Sequence, residues 1–207
     1  MFTGIVEGTG KIRETIDESG GRRLRIETDL DGEFHHGQSI AVSGVCLTVE
    51  TFGAERATEK GPWFEVFLAE ETVERTYLGE VEVGDLLNVE RAMPADGRFD
   101  GHVVQGHVDT TTEISSIERV GEDWRFGFEL PDGHDRYLVE KGSIALDGIS
   151  LTIASIDRVD GNFEVAIIPT TYELTNFGEK SVGDPVHVEV DVIAKYVENM
   201  LEGYDDR

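Results

Sequence analysis

Cysteine is nearly absent: the 207 residues contain one, Cys46. That excludes an internal disulfide and a zinc site built from several thiolates. Proline is scarce, with five residues, so a Pro-rich or collagen-like chain is excluded. No apolar run approaches the roughly 18 residues that a membrane span needs. The opening MFTGIVEGTG has neither a basic nor an apolar leader region, and a soluble, cytoplasmic protein without membrane association is expected. Positive charge is the largest deficit. Lys+Arg number 18 against 43 Asp+Glu, a formal charge of −25. A phosphate-backbone binder needs clustered cations, so no nucleic-acid partner is expected. The acids are scattered (Glu14, Asp17, Glu18, Asp29, Asp31, Glu33; then Glu70, Glu71, Glu74) rather than blocked. They point to a halophilic surface adapted to molar salt, where the Debye length falls to about 3 Å and self-repulsion is tolerated. An acidic face for a cationic partner is the rival reading.

What is present is a duplication. Ser39–Val49 (SIAVSGVCLTV) matches Ser143–Ile153 (SIALDGISLTI) at an offset of 104, with six of eleven positions identical. Leu68–Arg91 matches Ile167–Val190 at an offset of 99, with ten of 24 identical. A weaker match sets Ile5–Gly8 against Val103–Gly106 at an offset of 98. Two units are too few for a solenoid, so each half is read as its own small domain. The expected divisions are 1–97, 98–190 and a tail at 191–207.

Each half reads as all-β. Lys11–Ile16, Leu24–Thr28, Ser39–Val42, Leu47–Thr51, Trp63–Leu68 and Leu87–Arg91 are short β-prone runs between Gly- and Asp-bearing turns. In the second half Glu122–Leu130, Ile144–Leu146, Leu151–Ile156, Phe163–Ile168 and Val186–Val190 repeat the pattern. Such strands suit a small closed barrel, which leaves no exposed edge. Glu71–Leu78 and Tyr172–Phe177 read as single short helices ending at Gly79 and Gly178. In the tail, Asp191 can cap a helix running to about Leu201, with Gly203 beyond its end. Ile193, Tyr196, Val197 and Met200 form an apolar stripe along it, which suits packing between copies of the chain.

The usual catalytic templates are missing. Gly148–Thr152 is not a nucleophile elbow, and there is no Gly-rich phosphate loop. His102 and His107 are five apart, which is not the spacing of a helical metal pair, and no metal site is expected. What remains are small polar residues at equivalent places. Cys46 and Thr48 answer Ser150 and Thr152, each pair sharing a strand face by the period-two rule. They can hold a flat, amide-rich heterocycle. Equally, a cysteine can be a buried filler and the threonines ordinary strand residues.

Several motifs, taken in order, make a specific resemblance. Met1–Gly8 (MFTGIVEG), Gly44–Thr48 (GVCLT), Gly101–Val108 (GHVVQGHV) and Asp147–Thr152 (DGISLT) resemble riboflavin synthases of the α-chain type. The resemblance runs from Met1 to about Leu201. It implies two tandem six-stranded Greek-key barrels, a C-terminal α-helix and a homotrimer. It implies a cofactor-free and metal-free dismutation: one 6,7-dimethyl-8-ribityllumazine gives four carbons to another, yielding riboflavin and 5-amino-6-ribitylamino-2,4-pyrimidinedione. Association with lumazine synthase is a further implied partner. Lumazine-binding antenna proteins, which share the barrels without turnover, are the alternative.

Carried onto this chain, the resemblance makes Cys46, His107, Asp147, Ser150 and Thr152 catalytic. The first pocket takes Ser39, Cys46, Leu47, Thr48, Phe67, Leu68, Ala69, Glu70, Glu71 and Thr72, with Gly106, His107 and Val108. The second takes Lys141, Ser150, Leu151, Thr152, Ile168, Pro169, Thr170, Thr171, Tyr172 and Glu173. Phe2, Gly4, Ile5, Val6 and Asp191 complete the set. Three features depart from the family pattern: Thr170 where many relatives carry Glu or His, the acidic Glu71–Glu74, and a long charged stretch at 53–62, read as a surface loop.

Overall fold

The computed structural model describes residues 1–31, 33–54 and 61–205, so most of the 53–62 stretch lies outside the described residues. The first half forms β1 (Gly8–Glu18), β2 (Gly21–Thr28), β3 (Ser39–Val42), β4 (Val45–Ala54), β5 (Pro62–Ala69) and β6 (Leu86–Arg91). They close into one antiparallel barrel in the order β1-β2-β5-β4-β3-β6, a Greek-key path in which β2 pairs with β5 rather than β3. The second half forms β7 (Thr110–Val120), β8 (Asp123–Glu129), β9 (Ser143–Leu146), β10 (Ile149–Asp157), β11 (Asn162–Ile167) and β12 (Pro185–Val190). It closes by the same path.

Strand β7 has no counterpart among the expected runs. Its TTTEISSIERV is mostly Thr, Ser and Glu, and Ile114 is its one fully buried apolar residue. Pairing to β8 and β12 makes it a strand, not its own hydrophobicity.

Each barrel is filled. Ile12, Ile26, Leu47, Val49, Phe64 and Leu68 pack the first; Phe126, Phe128, Leu151, Phe163 and Phe177 pack the second. Any ligand must therefore sit on the outer walls, not in a lumen.

The two expected short helices are each broken. The first becomes α1 (Glu70–Arg75) followed by a 3₁₀ turn at Tyr77–Gly79; the second becomes α2 (Pro169–Leu174) followed by one at Asn176–Gly178. The breaks fall at Thr76 and Thr175, which are extended (φ −130° and −122°). Each hydroxyl donates to the carbonyl four residues back, Thr72 and Thr171, at 2.6 Å. The terminal helix α3 (Val192–Asp205) starts as expected: the Asp191 carboxylate accepts the Ile193 N–H at 2.9 Å. It continues through Gly203 instead of stopping before it. Ile193, Tyr196, Val197, Met200 and Leu201 are exposed along it, while Lys195 reaches Asp109 (2.6 Å) and Glu198 pairs with Arg136 and Tyr137.

The barrels meet through equivalent elements of the two repeats. The tips of the β3–β4 and β9–β10 hairpins are two-residue turns with positive φ throughout: Ser43 (42°) and Gly44 (83°), Asp147 (47°) and Gly148 (79°). That is the type I′ geometry favoured by Asp-Gly. A Cβ on either glycine would lie 2.7 Å from the other's backbone nitrogen, so the tips touch only because both are glycine. Nearby, Phe2 and Val104 bridge the halves, with N–H to carbonyl distances of 2.8 and 3.2 Å.

Candidate active site

The segments before β1 and β7 leave their own barrels and lie on the opposite ones. In the first arm, the Gly4 carbonyl accepts the Ser150 N–H at 2.7 Å, and Val6 packs on the second core. In the second, the Gly106 carbonyl accepts the Cys46 N–H at 2.8 Å, and Val108 packs on the first core. Gly4 and Gly106 have φ of 74° and 80°, and a Cβ on either would stand 2.7 or 2.5 Å from the Cβ of Ser150 or Cys46. Both approaches require glycine. They also correct the repeat. Gly4 corresponds to Gly106 and Val6 to Val108, an offset of 102. The bulges at Ile12/Glu14 and Ile114/Ser116 keep the same offset. The offset of 98 read from Ile5–Gly8 was a coincidence of small aliphatic residues.

On the first wall, Leu47 points into the core while Cys46 is half-buried and Thr48 exposed, the alternation expected for a strand. Ser39 pairs opposite Thr48 and lines an open recess of about 520 Å³. Burial pushes the Cys46 thiol upward, so it is a neutral thiol at pH 7 and not a thiolate nucleophile. The His107 side chain is exposed beside it, on the arm that covers Cys46. Phe67 and Thr72 are half-buried, and Ala69, Glu70 and Glu71 are exposed at the start of α1.

On the second wall, Ser150 is half-buried and Thr152 exposed. Here the structure adds a residue that its sequence spacing does not single out. His102 is buried, and its Nδ1 lies 2.7 Å from Ser150 Oγ. Its backbone N–H donates to the Thr3 carbonyl at 3.2 Å, which ties it to the first arm. Its Nε2 is buried with no hydrogen-bond partner. Burial pulls its pKa down, with Asp191 opposing, so the imidazole is neutral near pH 7. The His-x4-His spacing gave no way to separate His102 from His107; only the fold sends one to Ser150 and the other to the opposite wall. Lys141 is exposed, with φ of 66° and its Nζ on the Ala154 carbonyl (3.1 Å). Ile168, Thr170 and Glu173 are exposed near α2, Pro169 starts it, and Thr171 spends its carbonyl on Thr175. Tyr172 is stacked on Trp124 at 3.9 Å.

Several named residues are placed elsewhere. Leu47, Leu68 and Leu151 belong to the cores and can offer a ligand only backbone. Phe2 is buried in the seam with Ala41, Val104 and Ala145. Asp147 is fully buried at the barrel junction, away from both walls. Its carboxylate accepts from Tyr77 Oη (2.9 Å), Asn176 Nδ2 (2.9 Å) and the His187 N–H (2.8 Å), and pairs with Lys180 (3.0 Å). Turn geometry and that network hold it there. The adjoining cleft of about 380 Å³, lined by Tyr77, Asn176 and Lys180, contains none of the expected site residues. Among the described residues no cluster of His, Cys, Asp or Glu can hold a metal, and no helix is long and apolar enough to cross a membrane.

The lumazine binding domain family matches twice, over residues 3–92 and 105–191. The riboflavin synthase of Mycobacterium bovis is 44% identical over 97% of this chain and 98% of its own length. That of Actinobacillus pleuropneumoniae is 41% identical over 97% and 90%. The chain belongs to the riboflavin synthase family. Its fold also matches crystal structures of LumP complexed with riboflavin (TM-score 0.80, 22% identity) and with 6,7-dimethyl-8-(1'-D-ribityl) lumazine (TM-score 0.77, 21%), each over 92% of this chain and 99% of that one. Both family matches begin within the arms, so the two walls and the crossing residues Gly4 and Gly106 lie within the repeated unit.

Proposed function

We infer that the chain is a riboflavin synthase: it disproportionates two molecules of 6,7-dimethyl-8-ribityllumazine into riboflavin and 5-amino-6-ribitylamino-2,4-pyrimidinedione. The observation that carries this is the near-full-length match to riboflavin synthases at 41–44% identity. Similarity to the LumP structures is about half that and speaks for the fold alone, so the enzyme is favoured over the antenna. The atoms of two lumazines equal those of the two products, and no oxidant, reductant or cofactor is consumed.

The reaction needs a proton removed from one 7-methyl group and a nucleophile added at ring position 7 of the other lumazine. The neutral His102 against Ser150 suits the second need. With its proton on Nε2, Nδ1 accepts the hydroxyl proton as Ser150, or a water it holds, adds to the ring. The protonated thiol of Cys46 suits hydrogen bonding or packing against the other ring. Two like walls with unlike groups fit a donor and an acceptor of the four-carbon unit. Holding both in register can supply about 7–11 kcal/mol of the barrier. We further propose that the working assembly is a homotrimer joined through α3, with the first wall of one chain facing the second wall of a neighbour.

Pure protein incubated with the lumazine alone should form riboflavin, followed by absorbance. None at any salt concentration would remove the enzyme and leave a binding protein. In the same assay His102→Asn and Ser150→Ala should lower kcat by about 10²–10⁴-fold with little change in KM.

A further inference from the structure

Two carboxylates hold the crossing arms. Glu90, on β6, is almost fully buried; its Oε1 accepts the Thr3 N–H (2.8 Å) and hydroxyl (3.1 Å), and its Oε2 the Gly4 N–H (3.1 Å). Glu189, its repeat partner on β12, accepts the N–H groups of Gln105 (2.6 Å), Gly106 (2.8 Å) and His107 (2.9 Å). The two oxygens of a glutamate side chain can accept from successive backbone donors at once, and the amide of Gln, with a single acceptor oxygen, cannot. Each clasp sits on one barrel, but the arm it holds ends on the other. Glu90 of the first barrel fixes Gly4 against Ser150, and through Thr3 it also fixes the backbone of His102. Glu189 of the second barrel fixes Gly106 against Cys46.

We propose that Glu90 and Glu189 are crossed positioning residues, each setting the geometry of the reaction site on the opposite barrel through its arm. The assignment of those walls as reaction sites rests on the function proposed above; the crossing itself does not.

The single cysteine makes the crossing measurable without substrate. Cys46 lies under the arm held by Glu189, and on the same barrel as Glu90. Glu189→Gln should raise the rate of Cys46 modification by a disulfide reagent about tenfold or more, as loss of charge-assisted hydrogen bonds frees the arm. Glu90→Gln should leave that rate within about twofold of the parent chain. It should instead speed amide exchange at Ser150 and lower kcat more than it raises KM. Gly106→Ala, which lifts the arm without touching β12, should reproduce the Glu189→Gln thiol rate and covers the case in which Glu189→Gln does not fold. Faster thiol modification in Glu90→Gln than in Glu189→Gln, or no change in Glu189→Gln and Gly106→Ala alike, would overturn the proposal. These thiol rates keep their meaning even if the chain makes no riboflavin.

Discussion

At the scale of residues, the seam between the barrels shows how a duplicated sequence becomes an asymmetric molecule. Ser43 and Asp147, Asn88 and His187, Tyr77 and Asn176 are repeat partners that have diverged into complements. His187 donates from Nδ1 to the Ser43 carbonyl (2.8 Å), accepts the Tyr77 N–H at Nε2 (3.1 Å) and stacks on the Tyr77 ring at 3.9 Å. Asn88 Nδ2 donates to the carbonyls of Asp147 and of the Asn176 side chain, both at 2.9 Å. Removing Asp147 strands Lys180 and Tyr77 in the interior. Asp147→Ala should therefore cost about 3–5 kcal/mol in urea unfolding, the range for breaking a buried charge pair. The acid response carries two opposed contributions. Burial lowers His187 from 6.5 to about 4, so it binds fewer protons folded than unfolded, and stability falls as pH drops from 6.5 towards 4. Burial raises Glu90 from 4.5 to about 7, so it binds more protons folded, and stability rises as pH drops from 7 towards 4.5. Between about 4.5 and 6.5 they offset each other. Melting curves of His187→Gln should gain stability on acidification relative to the parent chain, and those of Glu90→Gln should lose it.

At the scale of elements, the terminal helix is held from one side only. Lys195 and Glu198 bind the second barrel, while Ile193, Tyr196, Val197 and Met200 remain exposed. A chain ending at Asp191 should keep both barrels folded and run as a monomer of very low activity in light scattering. Retention of a trimer would remove α3 as the joint. Eleven of the twelve strands were legible because burial on one wall writes a period of two. The exception, β7, buries little and is defined by its neighbours. The helix breaks at Thr76 and Thr175 depend on one hydroxyl returning to one carbonyl, which no apolar pattern records. Cys46 and Ser150 were legible as paired wall residues for the same reason as the strands. His102 was not, because its role depends on an arm crossing to another barrel. Asp147 matches the family motif, and its turn position before Gly148 places it in the buried junction.

At the scale of the whole molecule, charge dominates. The formal charge is −25 per chain, and a trimer would carry three times that. The exposed ion pairs, such as Arg13–Glu27 and Arg158–Asp135, contribute little individually in water. Screening weakens the long-range repulsion and leaves the buried network nearly untouched. Raising KCl from about 0.1 to 3 M should lift Tm by about 5 °C or more, at roughly 2–4 °C per kcal/mol for a chain of this size. A melting temperature independent of salt would contradict adaptation to brine and favour an acidic docking face.

The exchanged arms also impose an order in time. The first barrel closes when β6 meets β1, and both are complete once Arg91 has been synthesised. Its leading arm can be clasped by Glu90 but lacks its wall until Ser150 exists, and Cys46 stays uncovered until Gly106 follows. Walls form before sites, and the Gly4–Ser150 contact closes a far longer loop than the Gly8–Val89 pair that closes the first barrel. An interrupted chain can thus carry a finished barrel but no finished site. Synthesis offers no halfway site: both walls are finished only once the second barrel is complete.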